Sequence, residues 1–374
     1  MNHRCRALGL FVAVAALSSL CFTVSASAQA YDPTARPMYK VGKGGPANPS
    51  SAPAAQLPQH TFSYNYNGQT ISAVIVGPDP ATTNSTTTIG VGIIPLKLVY
   101  GASNGNMTFD PNTPYIGSTT ATQMVAGSPM FVSSIDWVQG GVDIGKTQYI
   151  DAYDRANFWG SIQTNNKYHL VFAKPLIAPS QTINVTSAQG HVIANPWSGI
   201  PTGTFDYFAF DSQLQTIMKK FKQINPGVLP IFLTYNVYLT EFGQCCIGGY
   251  HNANGSQPGG QTYSYATTIS QAAVSVFSED ISALSHELGE WQLDPFVDNL
   301  APSLCASRGN SLMENGDPLE NNANFGTYPY TVNGFTFHPQ DLVTMPYFGA
   351  PTSTSVNGFF TFQGETLSVC QNGG

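Results

Sequence analysis

The sequence predicts an α+β fold in which a twisted, mostly antiparallel sheet carries one amphipathic motif helix, with a β-rich section on its N-terminal side. Three observations support this prediction. Only 9% of the residues are charged, while glycine and aromatic residues are abundant, a composition typical of β-rich extracellular proteins with long turns. Apolar and polar residues alternate over many short runs, as in half-buried strands. Apolar spacings of three and four residues, which indicate helix, are confined to a few segments.

The N-terminus predicts export. Arg4 and Arg6 precede an apolar run over residues 8–24, and small residues follow in "SASAQA". This is the pattern of a signal peptide, which we assign to residues 1–30. Residues 31–60, rich in proline, alanine, glycine and serine, are predicted to form a flexible leader. We therefore expect a secreted protein, extracellular or periplasmic, and no later segment is long and apolar enough to span a bilayer.

The cysteines agree with export. After the signal peptide the chain keeps Cys245, Cys246, Cys305 and Cys370, an even number that predicts two disulfides in an oxidising compartment. Because adjacent cysteines rarely bond to each other, we expect Cys245 and Cys246 to pair separately with the other two. Which cysteine pairs with which is left open by the sequence.

Residues 61–145 form the predicted β-rich section, which either packs on the main domain or forms a subdomain. The stretch "TFSYNYNGQTISAVIVG" contains two alternating runs around Asn67 and Gly68, a residue pair typical of hairpin turns. The run "TTTIGVGIIPLKLVYG" predicts a further strand.

Residues 146–374 form the predicted α+β domain. Residues 146–162 mix aromatic and charged residues at near-helical spacing, and residues 211–224 have a helical apolar pattern with Asp211 as the expected N-cap. The run "VLPIFLTYNVYLTEF" predicts one long central strand, followed by a polar loop, "GQCCIGGYHNANGSQPGGQ", and the strand "TYSYATTI".

The motif helix comes next, and its polar face carries the chemistry. It is predicted to begin near Ser278, to end at Pro295, and to lie under the edge of the sheet. In "SHELGEWQLDP", His286 and Glu290 are four residues apart, so both side chains can reach one metal ion from adjacent turns. Glu287, one step round the helix, would reach a water molecule beside that ion. The alternative is an ordinary solvated helix face.

A second acidic cluster, "SLMENGDPLENN", follows the helix and contains Glu314 and Asp317. A tetrahedral zinc site needs a third protein ligand from a separate segment, so we expect one of these two carboxylates to bind the ion. The other would then hold His286 through its second ring nitrogen. The alternative is a polar, turn-rich loop without a ligand. Zinc is the expected ion, and calcium is the alternative.

His251, in "GGYHNANG", is a third candidate. In a glycine-rich loop ahead of the strand that precedes the motif helix, it could supply a further ligand or stabilise an oxyanion as a catalytic residue. The alternative is a surface histidine near a disulfide.

These segments resemble a known family. "SHELGEWQLDP" followed by "ENGDPLEN" resembles the "HEL-x-E-x-x-T-x-P … EIGD-C-E" pattern of secreted exordium-type (phosphate-induced) proteins and related bacterial proteins, and "CCIGGYHNA" is similar to their "CGYH" segment. The resemblance covers roughly residues 225–322. It implies an extracellular zincin-like domain whose motifs match the five residues His286, Glu287, Glu290, Glu314 and Asp317. Leu319 replaces the cysteine of the pattern, which implies different disulfide pairing, and Leu293 replaces its threonine.

Two functions compete on this basis. The first is a secreted zinc peptidase in which Glu287 activates water against a peptide or protein substrate. The second is a non-catalytic extracellular or wall-associated binding module on a zincin-like scaffold. The formal charge of −7 and the lack of a basic stripe argue against nucleic acid as a partner. A glycosidase that pairs Glu287 with Glu290 or Glu314 also fits the carboxylates. The oligomeric state is left open.

Overall fold

The computed structural model describes residues 38–41, 56–66, 68–133, 135–139, 142–164, 167–270, 280–302, 310–319, 329–332, 334–351 and 361–362. The predicted signal peptide, most of the predicted leader, the predicted helix start at Ser278, and the cysteines Cys305 and Cys370 lie outside these residues.

Strands dominate the described chain. In order they are β1 Met38–Val41, β2 Gln59–Tyr66, β3 Gln69–Val76, β4 Thr86–Tyr100, β5 Thr108–Phe109, β6 Pro114–Ile116, β7 Thr119–Thr120, β8 Ile135–Gln139, β9 Val142–Thr147, β10 His169–Phe172, β11 Leu176–Ile177, β12 Gln181–Val185, β13 Val192–Ala194, β14 Pro201–Asp206, β15 Val228–Tyr235, β16 Val237–Glu241, β17 Gln244–Asn254, β18 Gln261–Thr268, β19 Leu300–Pro302, β20 Asn310–Leu312, β21 Tyr330–Val332 and β22 Phe335–Phe337.

The helices are fewer. They are α1 Ala121–Ala126, α2 Tyr149–Asn157, α3 Trp159–Ile162, α4 Tyr207–Met218 and α5 Ser282–Leu293, with short 3-10 turns at Asp317–Leu319 and Pro346–Phe348. None of the helices in the described part of the chain combines the length and the apolar character needed to cross a membrane.

One large sheet organises the molecule. Its strands run in the order β10, β4, β15, β18, β17, β16, β14, β13, and β5, β11 and β12 also pair with β4. The strand-rich α and β mixture agrees with the prediction. Among the described strand pairs nine are antiparallel and seven parallel, and the parallel ones all belong to this large sheet. The sheet is therefore mixed: parallel around β4 and β15, and antiparallel from β16 through β17 to β18.

Both faces of this sheet are covered. Along β15, Leu229 and Ile231 face the same core as Leu288 of α5, whereas Phe232 faces the core that includes Leu214 of α4. Because side chains alternate along a strand, burial on both faces explains the nearly continuous apolar sequence of β15. The result is a layered arrangement, with α4 on one face and α2 and α5 on the other.

Several predicted elements are confirmed, with altered bounds. The hairpin is β2 and β3, with Gly68 at φ +78° in the turn. The predicted long strand is divided into β15 and β16 at Asn236, which has a left-handed φ of +53°. The predicted 211–224 helix starts earlier, because Asp206 caps it by accepting a hydrogen bond from the Ala209 amide. Asp211, the expected cap, lies inside α4.

Two strands pair across the predicted boundaries. β4 belongs to the predicted 61–145 section, yet it pairs with β10, β12 and β15 of the predicted 146–374 domain, so one sheet spans the boundary at residue 145. β1, within the predicted flexible leader, pairs in parallel with β17, and Val41 lies opposite His251. Its sequence, "MYKV", alternates apolar and polar residues and so suits an added strand.

The predicted disulfide pairing of Cys245 and Cys246 is wrong. The two cysteines are joined to each other, across a cis peptide bond. A β-bulge explains how both side chains come together: Leu239 pairs with Ile247 and Thr240 with Cys245, which leaves Cys246 as the extra residue. In a regular strand adjacent side chains would point to opposite faces.

Candidate functional site

The motif helix, α5, is enclosed on all sides. It packs against β17 and β18 of the sheet, and α2 and β3 cover its other side. Every residue from Ser282 to Leu293 is buried, which excludes the alternative of a solvated face. Because β17 and β18 lie inside the sheet, the predicted position under the sheet's edge is wrong. The helix begins at Ser282, after Ile281, and it ends just before Pro295 as predicted.

His286 and Glu290 meet as their spacing predicts. His286 Nε2 lies 2.9 Å from Glu290 Oε1, and Asp317 Oδ1 lies 3.6 Å from the same nitrogen. Glu314 comes from the same loop as Asp317, and its carboxyl group is close enough to that of Glu290 for the two to affect each other's charge. The loop is held in place by the Gly316 amide, which donates to Glu290 Oε1 at 3.1 Å. The predicted metal residues are thus adjacent in the fold.

The buried carboxyl groups of Glu290 and Glu314 are neighbours, which disfavours ionisation of both at once. Burial is the main reason that the pKa of each is raised well above its ordinary value. The charge of Asp317 raises the pKa of Glu290 further, and that of Glu290 raises the pKa of Glu314. Burial and mutual repulsion therefore favour the protonated form of these carboxyl groups when no cation is bound.

Gln340, which the sequence did not single out, sets the orientation of His286. Its side-chain amide donates to the Gly316 carbonyl at 3.1 Å, which directs its carbonyl oxygen toward His286 Nδ1 at 2.6 Å. Since that oxygen can only accept, Nδ1 carries the hydrogen. Nε2 is then the nitrogen that faces the carboxylates of Glu290 and Asp317. When the ring is protonated Nε2 donates to these carboxylates, and when the ring is neutral Nε2 can bind a metal ion.

His251 lies in strand β17 and not in the loop predicted for it. The residue is fully buried, which also excludes a surface histidine. Its Nδ1 is 3.2 Å from Glu287 Oε2 and 4.0 Å from Glu290 Oε2, while its Nε2 is 3.2 Å from the Asp294 carbonyl oxygen. Burial lowers the pKa of His251 to about 3, so the ring is neutral at physiological pH.

Two overlapping groups of side chains could hold a cation among the described residues. One consists of His286, Glu290 and Asp317, and the other of His251, Glu287 and Glu290. Within each group the ligand atoms lie within 4.8 Å of one another. Glu290 belongs to both groups, so the two positions share a carboxylate.

Asp294, at the C-terminal end of α5, predicts a pH effect on stability. Burial raises its pKa to about 7, although the Asn299 and Asp298 amides, which donate to Oδ1 at 2.9 Å, act in the opposite direction. Below the pKa that Asp294 has in the unfolded chain, the carboxyl group is protonated in both states and does not change the free energy of unfolding. As pH rises to 7, the unfolded state loses its proton first and the folded state is destabilised.

We expect Asp294→Asn to remove this cost while the side-chain oxygen still accepts both amides. In metal-depleted protein the variant should gain free energy of unfolding relative to wild type between pH 5 and pH 8, by at most about 4 kcal/mol. Urea unfolding across this pH range measures the difference. Asp143→Asn, at an exposed carboxylate of β9 that does not act on Asp294, is the control and should show none. A difference that does not change with pH would contradict the prediction.

Comparison of the chain with known protein families, with curated proteins and with solved structures finds no match. The chemistry available to the site is therefore inferred from the side chains of α5, β17 and the 314–317 loop.

Proposed function

We propose that this chain is a secreted metal-dependent hydrolase, with a peptide bond as the substrate linkage. One observation carries the proposal: Gln340 orients the ring of His286 so that Nε2 faces Glu290 and Asp317, with Glu287 on the same helix beside it. An isolated solvated histidine needs no such arrangement, whereas a metal ligand does.

The donor set fits zinc. The residues that would hold the ion are His286, Glu290 and Asp317, with Glu314 as the further carboxylate. Imidazole nitrogen with carboxylate oxygen suits zinc, while calcium prefers a shell made wholly of oxygen. When bound, zinc would supply a Lewis acid for a carbonyl group and lower the pKa of water.

Glu287 is the residue for proton transfer. Its side chain is buried, and its Oε2 faces His251 Nδ1 at 3.2 Å. Glu287 would take a proton from the attacking water as the new carbon–oxygen bond forms. It would return that proton to the nitrogen as the carbon–nitrogen bond breaks. Once protonated, Glu287 can donate to His251 Nδ1.

The fold gives support of a second kind. β17 runs antiparallel beside β18, and α5 is the first described helix after β18. This arrangement places His251 of β17 against Glu287 of α5.

Enclosure of the site favours a second candidate, a non-catalytic binding module in which the metal is structural. His286, Glu287 and Glu290 are buried, and the exposed part of the cluster is Asp317, whose side chain is 48% exposed. A substrate carbonyl must enter past the 314–317 loop, whereas a structural ion needs no entry path for substrate. The two candidates differ in what Glu287 is required for.

Glu287→Gln separates them. We expect the wild-type protein to bind zinc and to cleave unfolded protein and peptide substrates. The Glu287→Gln variant should cleave them on the order of 10²–10⁴-fold more slowly. The first zinc ion should remain, because glutamine preserves the volume beside His286. Metal analysis and mass spectrometry of the products measure both. Asp298→Asn is the matched control for loss of a carboxylate. A zinc-loaded wild type that cleaves nothing would leave the binding module.

A further inference from the structure

We infer a second divalent-cation position in this protein, formed by His251 Nδ1, Glu287 Oε2 and Glu290 Oε2, next to the position at His286. This second position includes His251 of strand β17 and Oε2 of Glu290, whereas the position at His286 uses Oε1 of Glu290. The chemical class of ligand is zinc or another first-row divalent ion that accepts imidazole and carboxylate.

The distances are close to those of such a position, which small side-chain shifts would complete. A tetrahedral zinc ion with ligand bonds of about 2.0–2.2 Å holds its ligand atoms about 3.3–3.6 Å apart. His251 Nδ1 is 3.2 Å from Glu287 Oε2 and 4.0 Å from Glu290 Oε2. The position at His286 has equivalent separations of 2.9 Å to Glu290 Oε1 and 3.6 Å to Asp317.

The hydrogen bonds repeat the arrangement found at His286. The Asp294 carbonyl oxygen, 3.2 Å from His251 Nε2, can only accept, so Nε2 carries the hydrogen. His251 Nδ1 is then the lone-pair nitrogen, and it faces the carboxylates of Glu287 and Glu290. A lone pair that faces carboxylate oxygens in a buried site calls for a positive charge between them.

Glu290 joins the two positions. Its Oε1 is near His286 and its Oε2 is near His251. A carboxylate that offers one oxygen to each side is the usual bridge between paired metal ions. The helix spacing therefore gives Glu290 two roles, and strand β17 supplies the second histidine.

The second ion would regulate the site. Where the proposed function holds, on which this step depends, an ion bound to Glu287 occupies the base that must accept the proton from water. We therefore expect activity to rise with the first equivalent of zinc and to fall with the second. This makes the second position inhibitory at high free zinc.

Counting bound zinc tests the inference directly. Equilibrium dialysis of the full chain at increasing free zinc should show two ions bound to wild type, one to His286→Asn and one to His251→Asn. Wild type that saturates at one ion would overturn the inference. So would two variants that each lose both ions, because that outcome means one joint position.

Glu287→Gln guards against a His251 variant that fails to fold, which circular dichroism would reveal. It should weaken the second ion by at least about tenfold while the first is retained, since one anionic ligand is lost. An unchanged second affinity would contradict the assignment. Two bound ions without hydrolysis would contradict the proposed function alone. One bound ion with hydrolysis that excess zinc does not inhibit would contradict the second position alone.

Discussion

Replacing Glu290 with glutamine is expected to change stability in opposite directions in metal-free and zinc-loaded protein. Without metal, Glu290 is buried against the carboxyl group of Glu314, and the pKa of both is raised by that burial. Glutamine removes the repulsion and can still accept from the Gly316 amide, so the metal-free variant should unfold at higher urea than wild type. With zinc, wild type should gain about 4 kcal/mol at a thousandfold excess over Kd, and the variant should gain little of it.

Thermal or urea unfolding with and without zinc measures both changes. Asp298→Asn again serves as the control, because it removes one exposed carboxylate and should leave the zinc-dependent gain intact. A Glu290→Gln protein that gains as much from zinc as wild type would mean that the ion binds elsewhere. One that is less stable than wild type without metal would mean that Glu290 is needed as a charged group in the apo fold.

The pairing of His286 with Glu290 could be predicted from the sequence because it depends on local geometry. Residues four apart on a helix are adjacent whatever surrounds the helix. The proximity of Glu314 and Asp317 to these two residues was also predictable, because acidic residues are scarce in this chain and these two follow the motif closely. Both inferences needed only spacing and composition.

Burial of the helix could not be predicted in the same way. The motif helix reads as amphipathic, yet its polar residues face other buried polar groups and not water. Gln340 lies 54 residues after His286, and the contact between them depends on how the C-terminal segment packs. His251 reaches Glu287 because β17 lies in register beside β18 under the helix, which is a tertiary relation.

The error at Cys245 has a different cause. The prediction was based on the rarity of bonds between adjacent cysteines, whereas the bulge at Cys246 brings these two side chains together. The late start predicted for α4 has a related cause. Asp206 and Asp211 are both suitable caps, and apolar spacing alone does not distinguish them, whereas Phe210, buried against the sheet, extends the helix toward Asp206.

Gly316→Ala is expected to disable the first metal position by sterics alone. A Cβ atom at residue 316 would lie 2.6 Å from Cε1 and 2.8 Å from Cγ of His286, well inside contact distance. The glycine has no left-handed φ, so alanine strains no backbone there. The ring must move away from Gln340 and Asp317. We expect zinc affinity to fall by at least about tenfold, the scale seen when the groups that orient a metal ligand are lost.

Two further glycines make this a controlled comparison. A Cβ atom at Gly249 would lie 2.7 Å from Cγ of Glu287, so Gly249→Ala should displace the base, reduce hydrolysis, and leave the first zinc ion bound. Gly259 has open space around it and no left-handed φ, so Gly259→Ala should change neither property. Zinc titration, hydrolysis rates and circular dichroism are measured on all three. If Gly316→Ala binds zinc as wild type does while its fold is intact, His286 is not a ligand, because the ring cannot keep its place beside the added methyl group.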